Sequence, residues 1–387
     1  MNRAAEGERA YLVMLQSTFG ERYRTWGLES LVDVAVSPAM HELYLEDFPR
    51  AWRDEALRRR LAIVGPNDYF YKWRGDELVH FADTPLAGLL DRVDPRCVAP
   101  AILDGRASGL PLAGGNHQLL FVNRRRTDVV PATFDELLRE AWRLRNDRSV
   151  LWPFVYPTNA CYFVFPLLYG FGAPLWSDPS RPDVGITRDA LARTLELHKE
   201  LMYDRVILPV KWEQYHSVFE LQTGRAAFAF GGDWDIAAHR EALGDDLVVA
   251  PIPSLERECR STANCFYLFL ARGMSPGAMA SAGRAAELLL GDDVQRDLAR
   301  ALHRAPVRRR RSGEGSSDEG SSDAVARRSA EVFARAIFLP PHRIVSHIFH
   351  VLADLFEPGV LVKHPIDELV DRACEELTGP HSAVPVR

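Results

Sequence analysis

Several things are scarce in this 387-residue chain. Its five cysteines, Cys97, Cys161, Cys259, Cys265 and Cys374, form no C-x-x-C pair and no finger-like spacing. That excludes a disulfide framework or a zinc ribbon. Only four of the 47 basic residues are lysine, namely Lys72, Lys199, Lys211 and Lys363. The arginine runs at 58–60, 124–126 and 308–311 are short and lack interleaved aromatics, so no nucleic-acid partner is expected. No run of 18 apolar residues exists, which rules out a helical membrane span and predicts no direct membrane insertion. Walker, G-x-G-x-x-G, H-E-x-x-H and G-x-S-x-G signatures are also missing.

The start of the chain is polar, and the apolar run at Tyr11–Leu15 is too short for the core of a signal peptide. With no early cysteine to carry a lipid, the sequence as written predicts a cytoplasmic protein, or an extracytoplasmic one if the true N-terminus is longer. His342, His347 and His350 have no carboxylate or cysteine at ligand spacing, so neither a metal nor a cofactor is expected.

What remains is 47% hydrophobic and 26% charged, with a net charge of −6, the composition of a globular chain long enough for two or three domains. Tyr11–Leu15, Val32–Val36 and Leu61–Val64 read as buried strands separated by helical stretches, the alternation of an α/β layer. Asp104-Gly105 marks a hairpin tip. Thr133-Phe134-Asp135-Glu136 is a capping box opening a helix with apolar residues at Leu137, Leu138, Ala141 and Leu144. Further helices are expected from Thr187, through Phe219 to a left-handed cap at Gly224, over 278–290, and over Ile366–Leu377. The stretch 308–323 runs from arginines into Ser, Gly, Asp and Glu and is expected to be a disordered loop.

Two segments have the chemistry of a ligand cleft. Residues 151–172 are rich in aromatics and proline, with Asn159 preceding a helix start whose free amides suit a neutral polar solute. Residues 224–234 form an apolar strand ending in Gly231-Gly232 and then presenting Trp234. Glycines allow a sharp turn and close approach, and an indole offers a flat apolar face with one hydrogen-bond donor. Most of the neighbouring rings are expected to serve only as core.

The order of segments resembles that of the family 1 extracellular solute-binding proteins, which include maltodextrin and other sugar receptors of ABC importers. The resemblance rests on Asp104-Gly105-Arg106 with Gly109-Leu110-Pro111, Phe121-Val122-Asn123-Arg124, Pro131-Ala132-Thr133-Phe134-Asp135-Glu136-Leu137, the aromatic stretch 152–172, the 224–234 element and Val249-Ala250-Pro251-Ile252-Pro253. It implies a type II periplasmic-binding-protein fold: two α/β lobes with mixed, mostly parallel sheets, helices on both faces and hinge crossings near 125, 246 and 305. Lobe I would comprise 1–125 plus 247–305 and lobe II 126–246 plus 306–387. A monomer would capture a small polar, sugar-like molecule by hinge closure and pass it to an ABC permease. The implied ligand-binding residues are Ser17, Thr18, Asn67, Asp68, Tyr69, Asn116, His117, Tyr156, Tyr162, Trp234, Pro340 and His342. No catalytic residue is implied. The alternative from a different class is an intracellular enzyme or metabolite sensor that reuses the fold, with Cys161 thiol chemistry or acid–base work by His117 or Asp68.

Overall fold

Runs such as Leu61-Ala62-Ile63-Val64 are apolar at every position, as strands covered on both faces must be. In the computed structural model all four are fully buried. The structure describes residues 8–39, 42–67, 77–103, 105–148, 150–176, 184–210, 213–309, 323–340, 343–357 and 359–379. Its strands are β1 Tyr11–Leu15, β2 Asp33–Ser37, β3 Leu61–Pro66, β4 Ile102–Leu103, β5 Arg106–Ala107, β6 Gly109–Gly115, β7 Gln118–Asn123, β8 Phe154–Val155, β9 Phe228–Gly232, β10 Leu247–Ala250, β11 Thr262–Leu270 and β12 Ile337–Phe338.

The chain divides into two compact units, one of Met1–Gly115 with Asn264–Ser317, the other of Asn116–Ala263 with Asp318–Arg387. The first crossing precedes β7 and the second falls inside β11, so both differ from the expected positions near 125 and 246. The third lies outside the described residues. The cause of the shift is strand pairing. From sequence β7 and β10 were both placed in lobe I, but β7 lies antiparallel between β10 and β9, all three in the second unit.

In the first unit, β1 lies between β2 and β3, parallel to both. The residues of β11 from Asn264 onward then pair antiparallel with β3 on one side and β6 on the other. The helix Pro276–Leu289 packs Ala278, Ala282, Ala285 and Ala286 inward. Such small side chains permit close approach, and Ser281 Oγ bridges two backbones, accepting from Ala10 N–H (3.0 Å) and donating to Leu31 C=O (2.6 Å). The expected hairpin is present as β4 paired with β5, with Gly105 at φ +76°. Asp104 is outside the described residues.

The second unit has a mixed sheet in the order β10-β7-β9-β8, antiparallel except for the β8–β9 pair. The expected capping box is formed, with Glu136 N–H donating to Thr133 Oγ1 (3.2 Å) and Thr133 N–H to Glu136 Oε2 (3.4 Å). It starts the helix Phe134–Asn146, whose Phe134, Leu137, Ala141 and Leu144 enter the core. A helix Arg188–Lys199 capped by Thr187, the helix Arg343–Leu355 and the helix Ile366–Thr378 pack on the same core. Gly224 takes the left-handed conformation expected of it, at φ +71°. Of the stretch 308–323, Arg308 bridges Val93 and Asp323 caps the helix Ala324–Arg335, while 310–322 lie outside the described residues.

Candidate functional site

The end of β9 is built around a glycine pair. A Cβ placed on Gly232 would meet the Trp234 ring at 2.3 Å, and one on Gly231 would meet Phe121 at 2.7 Å and Asp235 Oδ2 at 2.8 Å. Only glycine lets the indole fold back over the strand end. Two buried carboxylates hold the turn. Asp233 accepts from His117 N–H (3.3 Å), and its own N–H donates to the His117 carbonyl (3.1 Å). Asp235 accepts from Gly232 N–H and Gln214 Nε2, each at 3.0 Å, and burial pushes its carboxyl up to about 6.

Against this turn stands Tyr162, on a short 3-10 segment Cys161–Val164. Its ring lies 6.2 Å from that of Trp234 and, nearly parallel at 11°, 6.3 Å from that of Phe349. The phenol donates to the Asn116 carbonyl, and Asn116 itself adopts a left-handed φ of 54°. Gln118 fastens this group from below. Its Nε2 donates to the Tyr162 carbonyl (2.8 Å) and to Thr262 Oγ1 (2.9 Å), while its Oε1 accepts from Thr262 N–H (2.8 Å). Tyr162, Trp234 and Phe349 are each half-buried, and together they form an aromatic shelf on the second unit. A shelf of this kind has apolar faces for a ring-shaped ligand and backbone tethers that fix their orientation.

Three of the expected residues are thus brought together: Trp234, Tyr162 and Asn116. Tyr156 is not with them. It is fully buried, stacked 5.6 Å from Phe230, with its hydroxyl 2.5 Å from His198 Nδ1, so it is a core residue rather than a surface one. His117 is equally buried, its Nε2 lying 3.0 Å from the Ser329 carbonyl and its ring 5.6 Å from Phe333. Pro340 is buried as well. In the first unit Asn67 is 3% exposed and engaged, donating to the Pro100 carbonyl (2.7 Å) and accepting from Asn264 Nδ2. Thr18 is fully buried and its Oγ1 has no hydrogen-bond partner among the described residues. Ser17 belongs to the short helix Gln16–Phe19. Asp68, Tyr69 and His342 lie outside the described residues. Gln118 and Phe349 were not anticipated from sequence.

The thiol chemistry considered for Cys161 has no support in its surroundings. Burial pushes this thiol up to about 12, and its Sγ lies 3.7 Å from the Phe349 carbonyl. A nucleophilic cysteine needs the opposite environment. Among the described residues no group of three or more His, Cys, Asp or Glu could hold a metal ion, and no helix is long and apolar enough to cross a membrane.

Residues 63–321 match the profile of a family described as "Bacterial extracellular solute-binding protein". The chain belongs to that family. No curated protein matches this solute-binding protein by sequence. Its fold is that of two-lobed sugar-binding proteins of known structure. Maltose-bound MalE3 of T. maritima is similar at a TM-score of 0.78 and 16% identity, over 95% of this chain and 98% of that one. The GacH receptor of Streptomyces glaucescens, solved unliganded and with acarbose, gives 0.75 at 17% identity over 96% and 99%. The maltotriose-bound MalE domain of Bdellovibrio bacteriovorus gives 0.74 at 16% identity over 96% and 98%. The resemblance read from the order of sequence segments therefore holds.

Proposed function

We propose that this solute-binding protein is the receptor component of an ABC-type importer, that it captures a small polar, sugar-like molecule, and that capture drives closure of its two units. The observation that carries the sugar reading is the aromatic shelf. Half-buried Tyr162, Trp234 and Phe349 offer flat apolar faces of the kind that suit the C–H faces of a pyranose. Similar structures bound to maltose, maltotriose and acarbose support the same solute class. The family's description as extracellular supports a place of action outside the cytoplasm, where an importer would receive the cargo. Of the residues expected from sequence, Trp234, Tyr162 and Asn116 are proposed as the second unit's contribution, while Thr18, fully buried, is left out of the binding surface. Tyr156 and His117 are assigned to the scaffold. The role is binding, with no catalytic step.

Closure is a shift between pre-existing states, driven by the difference in solute affinity between them. Thermal-shift and calorimetric titration with maltose, maltotriose and acarbose test the reading. A ligand at about one hundred times its Kd should stabilise the fold by about 2.7 kcal/mol. Trp234→Ala should abolish that stabilisation while leaving the unliganded midpoint nearly unchanged. A full-sized shift in Trp234→Ala would refute the shelf as the sugar surface, and no response to any sugar would refute the solute class.

A further inference from the structure

A groove of about 680 Å³ runs over the second unit between the edge strand β10 and the helix Ala324–Arg335. None of the shelf residues lines it. Its floor is apolar, including Val248, Ile252 and Val130, the last 38% exposed. Its rim carries four arginines: Arg124, Arg327, Arg328 and Arg335. Two carboxylates answer them. Arg335 pairs with Glu258, while Arg328 (2.8 Å) and, more distantly, Arg327 (4.0 Å) share Glu331. The side chain of Arg124 has no ion-pair partner among the described residues. Of the neighbouring carboxylates, Asp246 is engaged by Arg125 and Asp323 by Arg240. The groove therefore keeps an excess of positive charge beside exposed apolar surface.

Shape decides what fits. The helical wall from Ala324 to Arg335 is about 16 Å long, and Arg328 and Arg335 are about 10 Å apart along its axis. One compact anion cannot reach all the guanidinium groups, whereas an extended segment of about five residues can, at about 3.3 Å per residue. Strand addition to β10 is not the mode, since Leu247 and Val249 are only 4% and 2% exposed beneath the helix. We propose that this groove docks an extended acidic peptide segment of a partner protein, with carboxylates on the arginine rim and apolar side chains on the Val130–Ile252 floor. Arginine clusters recognise acidic motifs through such charge-assisted pairs. The inference is independent of the solute reading, because the groove and the shelf share no residue.

The test is fluorescence anisotropy of the full chain with a labelled hexapeptide of alternating aspartate and valine, against its lysine–valine counterpart. The acidic peptide should bind, the basic one should not, and raising the salt should weaken binding. The double variant Arg124→Glu with Arg327→Glu should bind about tenfold more weakly or worse. If that variant does not fold, Arg124→Gln with Arg327→Gln should show a smaller loss in the same direction. The proposal is overturned if the acidic peptide fails to bind, if both peptides bind alike, or if charge removal changes nothing. Complete displacement by inorganic phosphate would also overturn it, in favour of a compact-anion site.

Discussion

Two aromatic clusters lie close together in the second unit and do opposite things. Tyr156, Phe154, Phe228 and Phe230 are fully enclosed, and the rings of Tyr156, Phe154 and Phe230 meet at 4.7–5.6 Å in tilted, edge and stacked contacts. Trp234, Tyr162 and Phe349 have comparable ring content but stay half-buried. Phe230 and Trp234 are four residues apart, and what separates their fates is the end of β9 at Gly232: Phe230 is in the ladder, whereas Trp234 stands past it on the 3-10 turn Asp233–Asp235. Tyr156 and Tyr162 are six residues apart and differ in what their hydroxyls meet. One faces a buried imidazole and the other a backbone carbonyl. Aromatic content alone does not make a binding surface; the end of the regular strand does.

The sharpest way to break this comparison is to truncate the core member. Tyr156→Ala should cost about 3–5 kcal/mol, since it removes a fully buried ring and leaves a cavity. It would also strip the partner from His198, whose ring burial pushes down to about 3 and so keeps neutral. Urea unfolding measures the loss. A cost as small as that of Trp234→Ala would mean that the two clusters are not distinct in kind.

A smaller effect is expected where the shelf is fastened to its scaffold. Gln118→Ala leaves Thr262 N–H and the Tyr162 carbonyl without the bonds they now make, at about 1–3 kcal/mol for each buried group left unsatisfied. Because Gln118 supports Tyr162, solute affinity should fall along with stability. Calorimetry would separate the two roles: destabilisation with unchanged affinity would make Gln118 a plain core residue.

What could be read in advance follows the range of the interactions. The Thr133–Glu136 capping box, the left-handed Gly224 and the close approach of Trp234 to Gly232 are local devices legible in the sequence, although Gly231 and Gly232 themselves stay extended in β9 and the turn comes only after them. The allotment of β7 and β10 was not, because Leu247–Ala250 reads as a buried strand whichever unit it joins, and only its ladder with Asn123–Leu120 decides. Tyr156 could not be told from Tyr162, since His198 arrives from a helix far along the chain. Phe349 continues the apolar stripe of Val345, Leu352 and Phe356, so periodicity marks it only as one more core residue. Gln118 has no sequence signature, and its importance is entirely in what it bridges.

The finest distinction between the two clusters is electrostatic. The turn that carries Trp234 rests on Asp235, whose carboxyl burial raises from 3.8 to about 6. A folded-state value above the unfolded one means that the folded protein holds the proton more tightly. The stability from this group is therefore present in full below pH 3.8 and is lost as pH rises through about 6. The integrated change is at most about 3 kcal/mol, from roughly 1.4 kcal/mol per unit. Asp235→Asn cannot ionise, so the difference in unfolding free energy, wild type minus variant, should fall between pH 4 and 7. Chemical denaturation at several pH values reads this directly. A difference independent of pH would show that the Gly232 and Gln214 hydrogen bonds to Asp235 fully offset its burial.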